Sequence, residues 1–339
     1  MSKNPGDLTP IDWPALVRET IKRRKAEKMT QREHAALAGV SVPTIVSFDR
    51  AETTLSLAKA FDILRVVGLV ETRGRSDSLD AFVADAVERW RHLISTLPAD
   101  SPGRFPYGWF RVEYELKGPL KLLSTSELKV ALERSVLPVT GWPIFLFLTR
   151  SGLKPYDQDE AVQCWIKPED GGGGIRMFGD AGHCDFWRVS PEGRAMTIRG
   201  YQEDGEDTFP PGTIFDTTLP IWRLGEALLH AARLAEHLSE DVNSTRVRMR
   251  ALYTGLNGRV LKSWANPLSD LFIEGGAARN DEAQLEISAT VTEIKTELPQ
   301  LVRRMVASLY ERFGLSGLSL ERVKVEIEKM EGRARQEST

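Results

Sequence analysis

Apolar side chains recur in this chain in two rhythms, and the change between them divides it. As far as about residue 97 the spacing is helical. Residues 12–28 predict a first helix, capped by Asp12 with Pro14 early, and with Leu16, Val17, Ile21 and Ala26 as its buried stripe. Thr30 with Glu33 three residues on makes a capping box for a second. Ala35, Leu37 and Ala38 supply its tight helix contact, Gly39 ends it in a left-handed residue, and Val40 plugs the turn. Ser41 caps a third helix, with Pro43 in its first turn. Ile45 and Phe48 point inward at a spacing of three, which leaves Val42, Thr44, Ser47 and Arg50 outward. Residues 56–67, ending at Gly68, close the bundle.

Residues 72–78 read as a linker, and Leu79 to about Leu97 as an amphipathic helix. That helix could pair with its copy in a second subunit or dock on the domain that follows. From Pro106 short apolar runs alternate with Gly-, Pro- and Asp-rich turns, predicting strands at 109–116, 143–149, 161–166, 175–178, 185–189 and 195–201. Gly171 to Gly174 reads as a hairpin tip, because it lacks the Gly-Lys-Ser/Thr of a phosphate loop. Residues 220–238 predict a helix buried through Ile221, Leu224, Leu228, Ala231 and Leu234. Strands follow at 245–253, 260–264 and 284–290, then helices at 291–313 and 318–330, the last capped by Ser316 or Ser319. The fold class is therefore α+β, with an N-terminal all-α helix-turn-helix bundle before a larger α+β domain holding a mixed or antiparallel sheet. The division expected is 1–71 (bundle), 72–104 (linker and amphipathic helix), 105–280 (α+β domain) and 281–339 (a C-terminal strand and helices suited to dimerisation).

Two short helices across a glycine turn are the plan of a DNA-binding hairpin. The segment resembles the Cro/C1 (XRE) family of repressors, whose core reads T-Q-x-x-L-A-x-x-x-G-V-S-x-x-T-I-S-x-x-E-x-G. Thr30, Gln31, Ala35, Gly39, Val40, Ser41, Thr44 and Ile45 fall on that pattern. His34 replaces its Leu, Val46 its second Ser, and Asp49 with Ala51 its Glu-x-Gly ending. The resemblance covers about the first seventy residues and implies a compact bundle of about five helices. It gives Val42, Pro43, Thr44 and Ser47 to base edges and Gln31 to the DNA backbone, where Thr30 and Arg50 are expected to join it. Val42 and Pro43 offer no side-chain donors, so readout would lean on thymine methyls, on Thr44 and Ser47, and on DNA shape.

A second likeness lies in the body. Residues 185–194, 199–204, 211–216 and 219–223 resemble a bacterial region found in proteins whose other end is a Schlafen-like AlbA domain. That likeness runs from about residue 80 to the C-terminus. It implies a body that rides on different nucleic-acid-binding heads, suited to sensing an effector or to assembly, and it transfers no catalytic residues.

Charge agrees with a binding head. Residues 1–75 hold 13 basic and 9 acidic side chains, a balance of +4, which leaves −7 for the rest of a chain of net charge −3. The densest basic run, Lys22, Arg23, Arg24 and Lys25, is expected to clamp phosphates beside the third helix. Two cysteines, Cys164 and Cys184, give no disulfide framework and fit a reducing cytoplasm. No apolar stretch reaches about 18 residues, so no membrane span is expected, and the N-terminus lacks a signal-peptide layout.

Catalytic chemistry is not advertised. His183, Cys184 and Asp185 stand together, but neighbours on a strand alternate faces. His230 and His237 share a helix face without a third ligand, and the cysteines lack C-x-x-C spacing, so neither metal nor cofactor is expected. Glu203, Asp204, Glu206 and Asp207 read as a solvated acidic loop. Seven of the eight tryptophans lie in the body, mostly as core anchors. Arg188, Arg199 and Arg223, beside Trp187, Tyr201 and Trp222, outline a candidate anion-binding cleft. These readings converge on a cytoplasmic, non-enzymatic transcriptional regulator of double-stranded DNA. It would act as a homodimeric repressor whose body takes a small-molecule or protein effector. The alternatives are a phage-defence nucleic-acid effector or nuclease aimed by its head, or an antitoxin-like protein that binds a partner.

Overall fold

A computed structural model describes residues 12–69, 78–121, 123–137, 139–150, 152–168, 180–205, 209–265 and 275–337. The chain divides into two compact units, Met1–Ala81 and Phe82–Thr339. In the first, four helices are found among the described residues: α1 (Trp13–Ala26), α2 (Gln31–Leu37), α3 (Val42–Asp49) and α4 (Leu57–Val66). Asp12 caps α1, the Thr30/Glu33 capping box opens α2, and the Ser41 side chain accepts from the Thr44 N–H to open α3. Gly39 turns between α2 and α3 at a φ of 63°, a conformation that costs a residue with a Cβ. Val17, Ala35, Ala38, Ile45, Phe48, Ile63 and Leu64 close the core. The Trp13 ring meets Phe48 edge-on at 5.2 Å, and its N–H donates to the Ala51 carbonyl.

Two expectations for this unit fail. Ala26 is exposed, whereas Val17 is buried, Leu16 and Ile21 pack on the core, and Thr20 and Arg24 join them on the buried side of α1. Leu37 is 66% exposed, so it takes no part in the helix contact. His34, standing where the family pattern has Leu, is nonetheless fully buried.

The second unit takes in most of α5 (Leu79–Ser95), then β1 (Trp109–Lys117), α6 (Thr125–Ser135), β2 (Tyr156–Gln158) and β3 (Ala161–Ile166). It continues through β4 (Asp185–Val189), β5 (Arg194–Gly200), β6 (Ile214–Asp216), α7 (Leu219–Leu238), β7 (Arg246–Tyr253) and β8 (Val260–Lys262). It ends with β9 (Ala283–Thr290), α8 (Val291–Glu311) and α9 (Leu320–Glu337). One seven-stranded sheet has the order β2-β3-β4-β5-β1-β7-β9, antiparallel throughout, while β6 and β8 form a separate parallel pair.

Alternation of side chains sorts the sheet into two faces. Phe110, Val112, Tyr114 and Leu116 of β1 share one face with Val247, Met249, Ala251 and Tyr253 of β7, and all join the core formed with α7, α8 and α9. The other face carries cross-strand ion pairs, Glu113 with Arg250 at 3.0 Å and Arg248 with Glu286 at 2.7 Å. α5 docks within its own unit: Trp90 packs on Phe105 and Trp109, and Asp85 accepts from Arg188 at 2.7 Å. α8 bends at Glu297, two residues before Pro299, whose missing N–H interrupts the ladder.

Residues 143–149 are not a strand. Ile144 and Phe145 are buried from an irregular segment in which Phe145 has a φ of 55°. Within residues 281–339, β9 lies along β7 in the sheet, with Glu286 opposite Arg250. The helices α6 and the short strands β2 and β6 are additions to the sequence reading, and Ser319 is the side chain that caps α9, accepting from Arg322. The expected strand at 175–178 and the glycine run at 171–174 lie outside the described residues. Among the described residues no helix is long and apolar enough to cross a membrane.

Candidate functional site

In the first unit, the fixed inner side of α3 decides what its outer side presents. With Ile45 and Phe48 fully buried, Val42 and Pro43 stand exposed at the start of the helix, and Thr44 and Ser47 half-exposed beside them. The Thr44 hydroxyl lies 2.8 Å from that of Ser41. Thr30 is exposed, its hydroxyl tied into the capping box. Gln31 donates to Asp49 at 2.6 Å, linking α2 to the end of α3. Arg50 and Lys22 have side chains 70% and 78% exposed, and Lys25 is exposed too. Arg23 is half-buried, held by Glu19 and donating to the carbonyls of Val67 and Gly68 at 3.2 and 3.0 Å.

Arg24 leaves the set of phosphate contacts. It is buried, and its guanidinium spans both oxygens of Asp49 at 3.0 and 2.6 Å. The same Nη1 approaches His34 Nδ1 at 3.4 Å, while His34 Nε2 lies 2.9 Å from the Ile63 carbonyl. A guanidinium only donates and a carbonyl only accepts, so these contacts suit a ring that accepts at Nδ1 and donates from Nε2. The run Lys22 to Lys25 is thus three surface groups and one internal tie. Its period was the available signal: Val17, Thr20 and Arg24 fall three and four residues apart, on one helix side.

In the second unit the structure brings Arg199 and Arg223 together and leaves Arg188 elsewhere, on Asp85. A small pocket, part of it open to solvent, lies over the row Tyr253, Phe110 and Arg199, which face one another across β7, β1 and β5. Tyr201 and Phe215 extend this floor, with neighbouring ring centroids 5.6 to 6.2 Å apart. Gln202, Glu203 and the first turns of α7 through Arg223 supply the rim.

The buried charges here are arranged in pairs of unequal quality. Arg199 takes Asp185 with two nitrogens, and Trp142 Nε1 also donates to that carboxylate. Arg259 takes Asp204 with two, at 2.8 and 2.6 Å, and lies over the Tyr201 ring at 4.5 Å. Arg223 has no such fork. Its Nη1 donates to Thr140 Oγ1 and the Trp142 carbonyl at 2.7 and 2.6 Å, its Nη2 reaches Gln202 at 3.3 Å, and Glu226 stands 3.5 Å off. Burial pushes the Glu226 carboxyl up to about 7, against the opposing pull of Arg223 and Arg199. Burial and the neighbouring Asp216 carboxylate raise Glu203 likewise to about 7. Glu203 and Asp204 are therefore not a solvated loop: both are buried, Glu203 accepting from the Asp216 N–H. Glu206 and Asp207 lie outside the described residues.

The remaining reactive groups do not converge. His183 holds Asp180 at 2.8 Å, the Cys184 thiol donates to the Asp180 carbonyl, and Asp185 is engaged by Arg199. Burial raises both thiols. His230 is buried against Phe145, accepts from or donates to the Tyr114 hydroxyl at 3.0 Å, and is pushed by burial down to about 3. Among the described residues no group of three or more His, Cys, Asp or Glu could hold a metal ion. Trp90, Trp187 and Trp222 are core residues; Trp109, Trp142, Trp165 and Trp264 are half-buried. Comparison with family models, with curated proteins and with solved structures finds no match for this chain.

Proposed function

We propose that this protein is a sequence-specific DNA-binding regulator, a repressor that acts as a homodimer. Two copies of α3 would enter successive major grooves, with half-sites about one helical turn apart. The observation that carries this reading is the start of α3. Val42, Pro43, Thr44 and Ser47 stand outward there while Ile45 and Phe48 anchor the helix in a closed core. Exposed Lys22, Lys25 and Arg50 fit contacts to phosphates, and Thr30 and Gln31, both exposed, stand at the start of the neighbouring helix. A single head seldom suffices against genomic competition, which is the reason for two. The fit to the Cro/C1 pattern at eight positions supports the same assignment.

Footprinting on DNA upstream of the protein's own coding sequence, with random duplex as competitor, tests it. Thr44→Ala with Ser47→Ala should lose about 1–3 kcal/mol of discrimination per lost contact while random duplex binds as before. Lys22→Gln with Lys25→Gln should weaken all duplexes alike and flatten the salt dependence. If both doubles bind every duplex like wild type, α3 is not the reading element.

A further inference from the structure

We propose that the pocket over Tyr253, Phe110 and Arg199 is a binding site for a small organic anion, a carboxylate carried on a compact apolar or aromatic body. Three observations lead there, none of which depends on the DNA reading.

The first is the state of Arg223. Three arginines cluster in this part of the unit, all buried. Arg199 and Arg259 each grip a carboxylate with two nitrogens, but Arg223 is held at close range only by neutral oxygens. Its nearest carboxylate, Glu226, is 3.5 Å away and also receives the Thr140 hydroxyl, which lies 3.1 and 3.0 Å from its two oxygens. Its Nη2 makes one long contact, 3.3 Å to Gln202. A buried guanidinium whose charge is answered at a distance gains more from a carboxylate than one already forked.

The second is the Tyr253 hydroxyl. Tyr253 is 2% exposed, and its oxygen has no hydrogen-bond partner among the described residues. A buried hydroxyl without a partner is costly, and an acceptor seated in the pocket removes that cost. The third is the division of the wall. Phe110, Tyr201, Phe215, Tyr253, Leu219 and Pro220 make its apolar part, and Arg199, Gln202, Glu203 and Arg223 its polar part. A ligand with one charged end and one apolar end matches that division.

The carboxyl groups around the site shape how the anion would be held. Facing Arg223 are Glu226 from its own helix, Arg199 from β5 and Asp185 from β4, and Glu203 after β5 lines the same pocket. Glu203 and Glu226 lie near the midpoint of their titration at neutrality, so an arriving anion can be accommodated by their taking up a proton. Affinity then strengthens as pH falls through about 7 and weakens above it.

Isothermal titration of the full chain with sodium benzoate is the direct test, with benzamide, benzamidine and acetate as comparison probes. Benzoate should bind saturably, at least about tenfold tighter than benzamide or acetate, with benzamidine silent. Benzoate affinity should fall between about pH 6 and pH 8, and buffers of different ionisation heat should reveal proton uptake. Arg223→Gln should remove binding. Because Arg223 also ties Thr140 to Trp142, Glu226→Gln serves as the second variant. It keeps the shape of the neutral carboxyl and should bind benzoate at about pH 8 several-fold better than wild type. No saturable benzoate binding, equal binding of benzamide, or an unchanged pH profile in Glu226→Gln would each overturn the proposal. DNA binding is not used in any arm, so failure here leaves the reading of the head where it was.

Discussion

Glu226 has no exposed surface and keeps its proton to about 7, whereas an unfolded chain would release it near 4.5. Between those values the folded state binds more protons than the unfolded one. Its contribution to stability is therefore complete below about 4.5 and is lost as pH rises to about 7. Glu226→Gln cannot titrate. The stability of wild type relative to this variant should fall by a few kcal/mol from pH 4.5 to 7, followed by urea unfolding at each pH. His230 acts in the opposite sense, since its depressed value makes stability rise with pH between about 3 and 6.5, but it is common to both proteins and cancels. Such buried ionisable groups are the residues that sequence reads worst. Arg24 looked like one more surface cation in a basic run, and Glu203 like one more carboxylate in an acidic loop. Nothing in either residue type announces a partner distant in sequence, such as Asp49 for Arg24. Arg199 and Arg223 were legible as candidates because aromatic residues flank them, although Arg188 met the same criterion and points elsewhere.

Among the elements, the turn after α3 holds a conflict between residue and conformation. Ala51 has a φ of 57°, where an L side chain costs about 1–2 kcal/mol, yet its N–H must reach Phe48 and the next must reach Ser47 to close the helix. Ala51→Gly should slow hydrogen exchange of the amides of α1 to α3, equivalent to about 1 kcal/mol of added stability. Faster exchange would mean that the alanine methyl contributes more by packing than its backbone loses. Elements with a strong period and clear ends, such as α3, β3, β4 and α7, could be placed from sequence almost to the residue. β2 and β6, three residues each, are too short to carry any period. α6 opens on a capping box at Ser124 and Glu127 that was legible and passed over, set among prolines and glycines. Residues 143–149 misled because an apolar run says that side chains are buried without saying what the backbone does.

For the whole molecule, the division into two units carries its own prediction. The first has its own closed core, built around Ile45, Phe48 and Ile63, in a size range where helical domains fold alone. A fragment of residues 1–81 should give a helical circular-dichroism spectrum and a single cooperative melt, and a spectrum without a transition would show that the unit depends on the rest. The body obeys a different logic. Its central strand β1 lies between β5 and β7, and the Trp109 N–H finds its acceptor on Thr254, 145 residues away. The sheet is then finished by β9, close to the end of the chain. During synthesis the first unit can be folded outside the ribosome while β1 still waits for strands that have not been translated. Nonsense mutations between β1 and the end of β9 should therefore release finished heads on unfinished, aggregation-prone sheets.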